Sequence, residues 1–100
     1  MNAINDIASE RERQISERGY TQAHDDEMNG DGELVLAAVC YAKEAAGLNR
    51  ERPQYWPWSD FAWKPGGYRQ NLVKAAALIA AEIDRIDRHH TGGTENGITQ

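Results

Sequence analysis

Between Tyr55 and Tyr68 the chain places six aromatic side chains, including all three tryptophans, Trp56, Trp58 and Trp63, and Lys64 and Arg69 stand beside them. Flat rings next to cations suit one kind of chemistry. A ring can stack on a nucleobase for about 1–3 kcal/mol per base, while a neighbouring cation meets phosphate through charge-assisted hydrogen bonds. A second polar group lies upstream, where Arg13 and Gln14 on one predicted helix precede the run His24, Asp25, Asp26 and Glu27. Arg13 is a further candidate for phosphate. Asp25 and Asp26 are suited to accept hydrogen bonds from sugar hydroxyls, Gln14 can fix a hydroxyl as donor or acceptor, and His24 adjoins them. The candidate ligand-binding set is therefore Arg13, Gln14, His24, Asp25, Asp26, Trp56, Trp58, Trp63, Lys64 and Arg69. The same rings equally suit burial against alanine-rich helices, where small residues leave grooves for large ones.

No metal or cofactor is assigned. Hard cations need several converging oxygen ligands, adjacent residues rarely converge, and neither a zinc-finger nor an EF-hand spacing is present. No catalytic residue is assigned either. Cys40 sits in the apolar run LAAVCYA, the setting of a buried thiol and not of a reactive thiolate. No G-x-S-x-G context and no glycine-rich phosphate loop occurs. The reading leans away from an enzyme.

Three long helices must position these groups. Residues 2–18 show Ile4, Ala8, Arg11 and Ile15 at helical spacing with Ile7 beside them, behind a cap at Asn2 or Asn5. A second helix is predicted over GELVLAAVCYAKEAAG, capped by Asp31 and stopped by Gly47. It is apolar from Leu34 to Ala42 apart from one tyrosine, the pattern of a buried central helix. A third runs from Tyr68 to about Arg88, with Leu72, Ala76, Ile79, Ile83 and Ile86 stepping by four and three as one packed face. Pro53, Pro57 and Pro65 exclude a continuous helix from the aromatic stretch, leaving a short turn over SDFAW with Ser59 as its cap. The expected fold class is all-α, a compact three-helix domain with a long aromatic, proline-rich structured loop. Residues 1–90 form one helical domain, and 91–100, rich in Gly, Thr and Asn, form a flexible tail.

Composition narrows the function classes. The chain has 100 residues and a net charge of −5, which opposes unspecific nucleic-acid binding, since that affinity comes mostly from phosphate neutralisation. No apolar run is long enough to span a membrane, and MNAINDIASERERQ lacks the apolar segment of a secretory signal. One cysteine suits a reducing cytoplasm. An alanine-rich second or third helix would serve an oligomer interface, so a homo-oligomer is expected.

The combination of E-R-x-R-Q, H-D-D, G-E-L-x-x-A-A and W-P-W, spread over residues 9–88, resembles small proteins encoded by phages and prophages of bacteria, a group without assigned function. What that resemblance implies is an accessory protein in the host bacterial cytoplasm. Two roles fit it. The first is counter-defence by binding and sequestering a small nucleotide-derived signalling ligand without catalysis, as phage sponge proteins do. The alternative is a protein-binding inhibitor of a host defence complex, in the manner of anti-CRISPR proteins. A third comparison is with MazG-like nucleotide pyrophosphohydrolases, which hold magnesium by carboxylate pairs three residues apart on a helix. The expected pairs fail here, because Glu33 is followed three on by Leu36 and Glu82 by Arg85.

Overall fold

The computed structural model describes residues 2–18, 23, 27, 30–50 and 53–89. His24, Asp25 and Asp26, and the predicted tail 91–100, lie outside the described residues. Helix α1 spans Ala3–Arg18, and Asn2 Oδ1 accepts the Asn5 N–H at 3.1 Å, the cap expected from a short oxygen-bearing side chain. Helix α2 spans Glu33–Ala45. Its N-cap is Gly32 (φ 91°) and not Asp31; the Asp31 N–H instead donates to the Glu33 carboxylate at 2.9 Å. At its other end Gly47 takes φ 76°. The Gly47 N–H bonds Glu44 O and the Leu48 N–H bonds Lys43 O, the paired reverse bonds by which a left-handed residue closes a helix.

A 3-10 turn over Asp60–Ala62 follows Ser59 as predicted, though the Ser59 side chain makes no cap bond. Helix α3 spans Tyr68–His89. Among the described residues these three helices and the turn make up the regular structure, with no strand. The expected all-α, three-helix architecture is what the chain adopts.

Leu34, Ala37, Ala38 and Tyr41 of α2 meet Ala75, Leu78 and Ala81 of α3, and Trp56, Trp58 and Trp63 pack against that cluster partly buried. Helix α1 leans on α3. Large rings therefore fill the space that alanines leave. In the loop, Tyr55 holds φ 72°, a left-handed conformation uncommon for a bulky residue, and Trp56–Pro57 is trans.

Three packing expectations are corrected. The predicted seam of α1 is not its buried face: Ile4 is 73 % exposed, and the buried residue of the helix is Gln14. Helix α2 is not enclosed all round, since Val35, Leu36 and Val39 stay partly exposed. The repeat of large residues on α3 is not its packed face. Leu72, Ile79, Ile83 and Ile86 are exposed, while Asn71, Lys74, Ala75, Ala77, Leu78 and Ala81 are buried. On α2 and α3 the reason is steric. Small side chains let helix axes approach and carry the dispersion contacts, and a buried amide or ammonium is tolerated where it finds partners.

Candidate functional site

The last turn of α1, the end of the aromatic loop and the first turns of α3 converge because buried polar side chains tie them together. Asn71 grips Gly66 from both sides: Gly66 N–H donates to Asn71 Oδ1 at 2.7 Å, and Asn71 Nδ2 donates to Gly66 O at 3.0 Å. Two residues earlier, the Lys64 N–H donates to Tyr41 Oη at 3.2 Å, and Lys74 Nζ donates to the Lys64 carbonyl. From α1, Arg18 Nη2 reaches Ala62 O at 2.9 Å. The loop is thus held to all three helices by its backbone, with Trp56 edge-on to Tyr41 and to Trp58.

This tethering brings cations together. A cavity of about 380 Å³ is lined by Arg13, Arg18, Lys64, Gln70 and Lys74, with no carboxylate among them. Its size falls within the ~300–1,000 Å³ usual for small-ligand pockets. A neighbouring cavity of about 450 Å³ shares Arg13 and Gln70 as walls and adds Asp6, Ser9, Glu10, Arg69 and Val73. There Arg69 is paired with Asp6 at 2.7 Å.

The electrostatics are set by a carboxylate just behind the cationic wall. Arg13 engages Glu10 with two bonds, Nε to Oε1 at 2.8 Å and Nη2 to Oε2 at 2.7 Å, and Glu17 lies 3.5 Å from Nη1. Burial alone would raise the Glu10 carboxyl, but hydrogen bonds from Arg13 and Gln14 and the charges of Arg13 and Lys74 outweigh it and hold it below the ordinary carboxylate range. The bond to Glu10 in turn raises Arg13. Burial pushes Lys74 below the ordinary lysine range, assisted by repulsion from Arg13 and Arg18, with Glu10 partly opposing the shift. An added anion would offset the repulsion from Arg13 and Arg18 that adds to this burial.

Next to the cavity, across the shared walls Arg13, Arg18 and Lys74, Gln14 is 3 % exposed. Its Nε2 donates to Glu10 Oε2 at 3.1 Å, which fixes the amide orientation, and its Oε1 has no hydrogen-bond partner. A space of about 10 Å³ lies there, bordered by Gln14, Tyr41, Trp56 and Trp58, close to the smallest volume that admits one water.

The structure therefore brings Arg13 and Lys64 to one cavity, sets Gln14, Trp56 and Trp58 around the small space that shares its cationic wall, and places Arg69 in the adjoining one. Trp63 faces elsewhere, with Trp56, Pro53 and Asp60 around a slot of about 180 Å³. His24, Asp25 and Asp26, as candidates, lie outside the described residues. Sequence reasoning missed Arg18, Gln70 and Lys74. For Lys74 a signal existed, because it steps by four to Leu78 along the buried row of α3; Arg18 and Gln70 carry no such signal. Among the described residues no cluster of three metal-ligating side chains occurs, and no helix is long and apolar enough to cross a membrane. Cys40 is buried, its thiol raised by desolvation, with Sγ 3.6 Å from Gln54 O. The chain matches no family model, and no curated protein or solved structure shows significant similarity to it.

Proposed function

We propose that this protein binds a small phosphate-bearing, nucleotide-derived ligand and sequesters it without catalysis, acting in the host bacterial cytoplasm as the counter-defence protein its phage-like motifs suggest. The observation that carries the reading is the cavity walled by Arg13, Arg18, Lys64 and Lys74 on a chain whose overall charge is −5. Cations concentrated against the net charge favour a compact anion over a nucleic-acid backbone. The unpartnered Gln14 acceptor beside it supports a ligand or water that donates a hydrogen bond. In this reading Arg13 and Lys64 meet phosphate and Trp56 or Trp58 contributes the flat surface.

Native mass spectrometry on protein purified from infected, defence-activated bacteria, followed by heat release, tests it. The expected result is an intact nucleotide at stoichiometric occupancy, lost from Lys64→Glu, whose side chain sits on the surface. A hydrolysed fragment would instead favour the pyrophosphohydrolase reading. An empty protein would sink the ligand reading.

The exposed rings of Tyr55 and Phe61, 69 % and 76 % accessible, favour a second reading, a protein-binding inhibitor of a host defence complex. Aromatic anchors are the side chains that carry such interfaces. A host protein that co-purifies with the wild type and not with Phe61→Ala supports it.

A further inference from the structure

The cationic cavity is one half of a longer groove. Arg13 and Gln70 wall both it and the neighbouring cavity of about 450 Å³, so the two spaces meet across these residues. Their other α1 walls lie to either side of Arg13, with Asp6, Ser9 and Glu10 before it and Arg18 after it. At the helical rise per residue, the run from Asp6 to Arg18 spans about 18 Å.

The two halves differ in charge. Arg13, Arg18, Lys64 and Lys74 face the first half with no carboxylate among them. In the second half each cation is already met by a carboxylate, Arg69 by Asp6 at 2.7 Å and Arg13 by Glu10 at 2.7 Å. Ser9, Gln70 and Val73 complete it with uncharged walls. Balanced in this way, the second half offers no net attraction to phosphate. Its hydroxyl, amide and carboxylate oxygens suit the hydroxyl groups of a neutral sugar instead. Trp56 and Trp58 adjoin the cations from the side of Arg18 and Lys74, whereas the second half adjoins them from the side of Gln70.

We propose that the ligand is a nucleoside diphosphate esterified to a second, uncharged sugar, and that this sugar occupies the half walled by Ser9, Gln70 and Val73. The inference rests on the reading that phosphate sits among the cations and a base meets Trp56 or Trp58. With the base on one side of the cations and the neutral half on another, the phosphates lie between two organic groups. A nucleoside mono-, di- or triphosphate ends in its charge and would leave the second half empty.

Isothermal titration calorimetry of the full chain tests this with ADP, ADP-ribose, UDP, UDP-glucose and inorganic pyrophosphate. For whichever base is accepted, the sugar-bearing probe should bind about tenfold more tightly than the plain diphosphate, the worth of one or two added hydrogen bonds. Val73→Trp, which fills the second half from α3, should bring the sugar-bearing probe down to the affinity of the plain diphosphate. Ser9→Trp, on the exposed face of α1, serves if circular dichroism shows that Val73→Trp loses helix. Equal or weaker binding of the sugar-bearing probes, or an advantage that survives both fillings, overturns the inference and leaves the phosphate reading standing. Binding of pyrophosphate alone does the same. If no probe binds, pyrophosphate included, the phosphate reading itself fails and the inference falls with it.

Discussion

The two faces of α3 invert the usual assignment of inside and outside. The inner face carries Asn71, Lys74, three alanines and a single large apolar side chain, Leu78; the outer face carries one leucine and three isoleucines. Hydrophobicity alone would turn the helix round. What decides is size and partnership. The alanines allow α2 and α3 to approach closely, the tryptophan rings fill the rest, and Asn71 and Lys74 are held inside by the loop carbonyls and N–H that they satisfy. The outer face is then free for another task.

The largest effects should separate adjacent residues. Leu78 is 2 % exposed and Ile79 is 47 % exposed. Leu78→Ala should cost ~2–5 kcal/mol, the transfer term plus a cavity, a large fraction of the ~5–15 kcal/mol that a small domain possesses. Ile79→Ala should stay within about 1 kcal/mol. Urea denaturation of both variants checks this, and equal losses would mean that Ile79 is packed within the monomer.

A middle-sized effect tests whether the inner polar residues are structural. Asn71→Ala removes both bonds that hold the Gly66 backbone, each worth about 0.5–1.5 kcal/mol net. Because the loop carries all three tryptophans, their fluorescence should shift to the red before global unfolding. An unchanged spectrum and midpoint would show that the clamp is dispensable.

The smallest effect is a pH dependence of the inner face. Lys74 binds its proton less tightly folded than unfolded. Between the lowered folded value and the ordinary lysine value the unfolded chain holds more protons, so stability rises with pH across that window. The urea midpoint of the wild type, followed from neutral to alkaline pH, should rise relative to Lys74→Met. Parallel curves for the two proteins would show that the buried ammonium is fully compensated by its carbonyl and by Glu10.

Much of the fold was legible in the residues. The capping asparagine, the Gly47 stop, the three prolines and the helical periodicities act through neighbours a few positions away, so pattern alone placed α1, α2, α3 and the turn after Ser59. The cationic site was legible only in part. Arg13 and Lys64 stood out beside polar and aromatic neighbours, whereas the one signal for Lys74, its step of four to Leu78, was passed over, and Arg18 at the end of α1 and Gln70 in the first turn of α3 gave no periodic signal. Their convergence depends on contacts 44 residues apart, such as Arg18 with Ala62, which no local pattern encodes.

By itself, then, the sequence determined the elements, their ends and the concentration of rings and cations in one loop, because those follow from local backbone preferences and composition. Only the tertiary structure decided which face of each helix is turned inward. That choice depends on how closely two helices can approach and on which buried polar groups find partners across the molecule. The same decision that buried Lys74 and Gln14 at the cavity left the isoleucine seam of α3 outside.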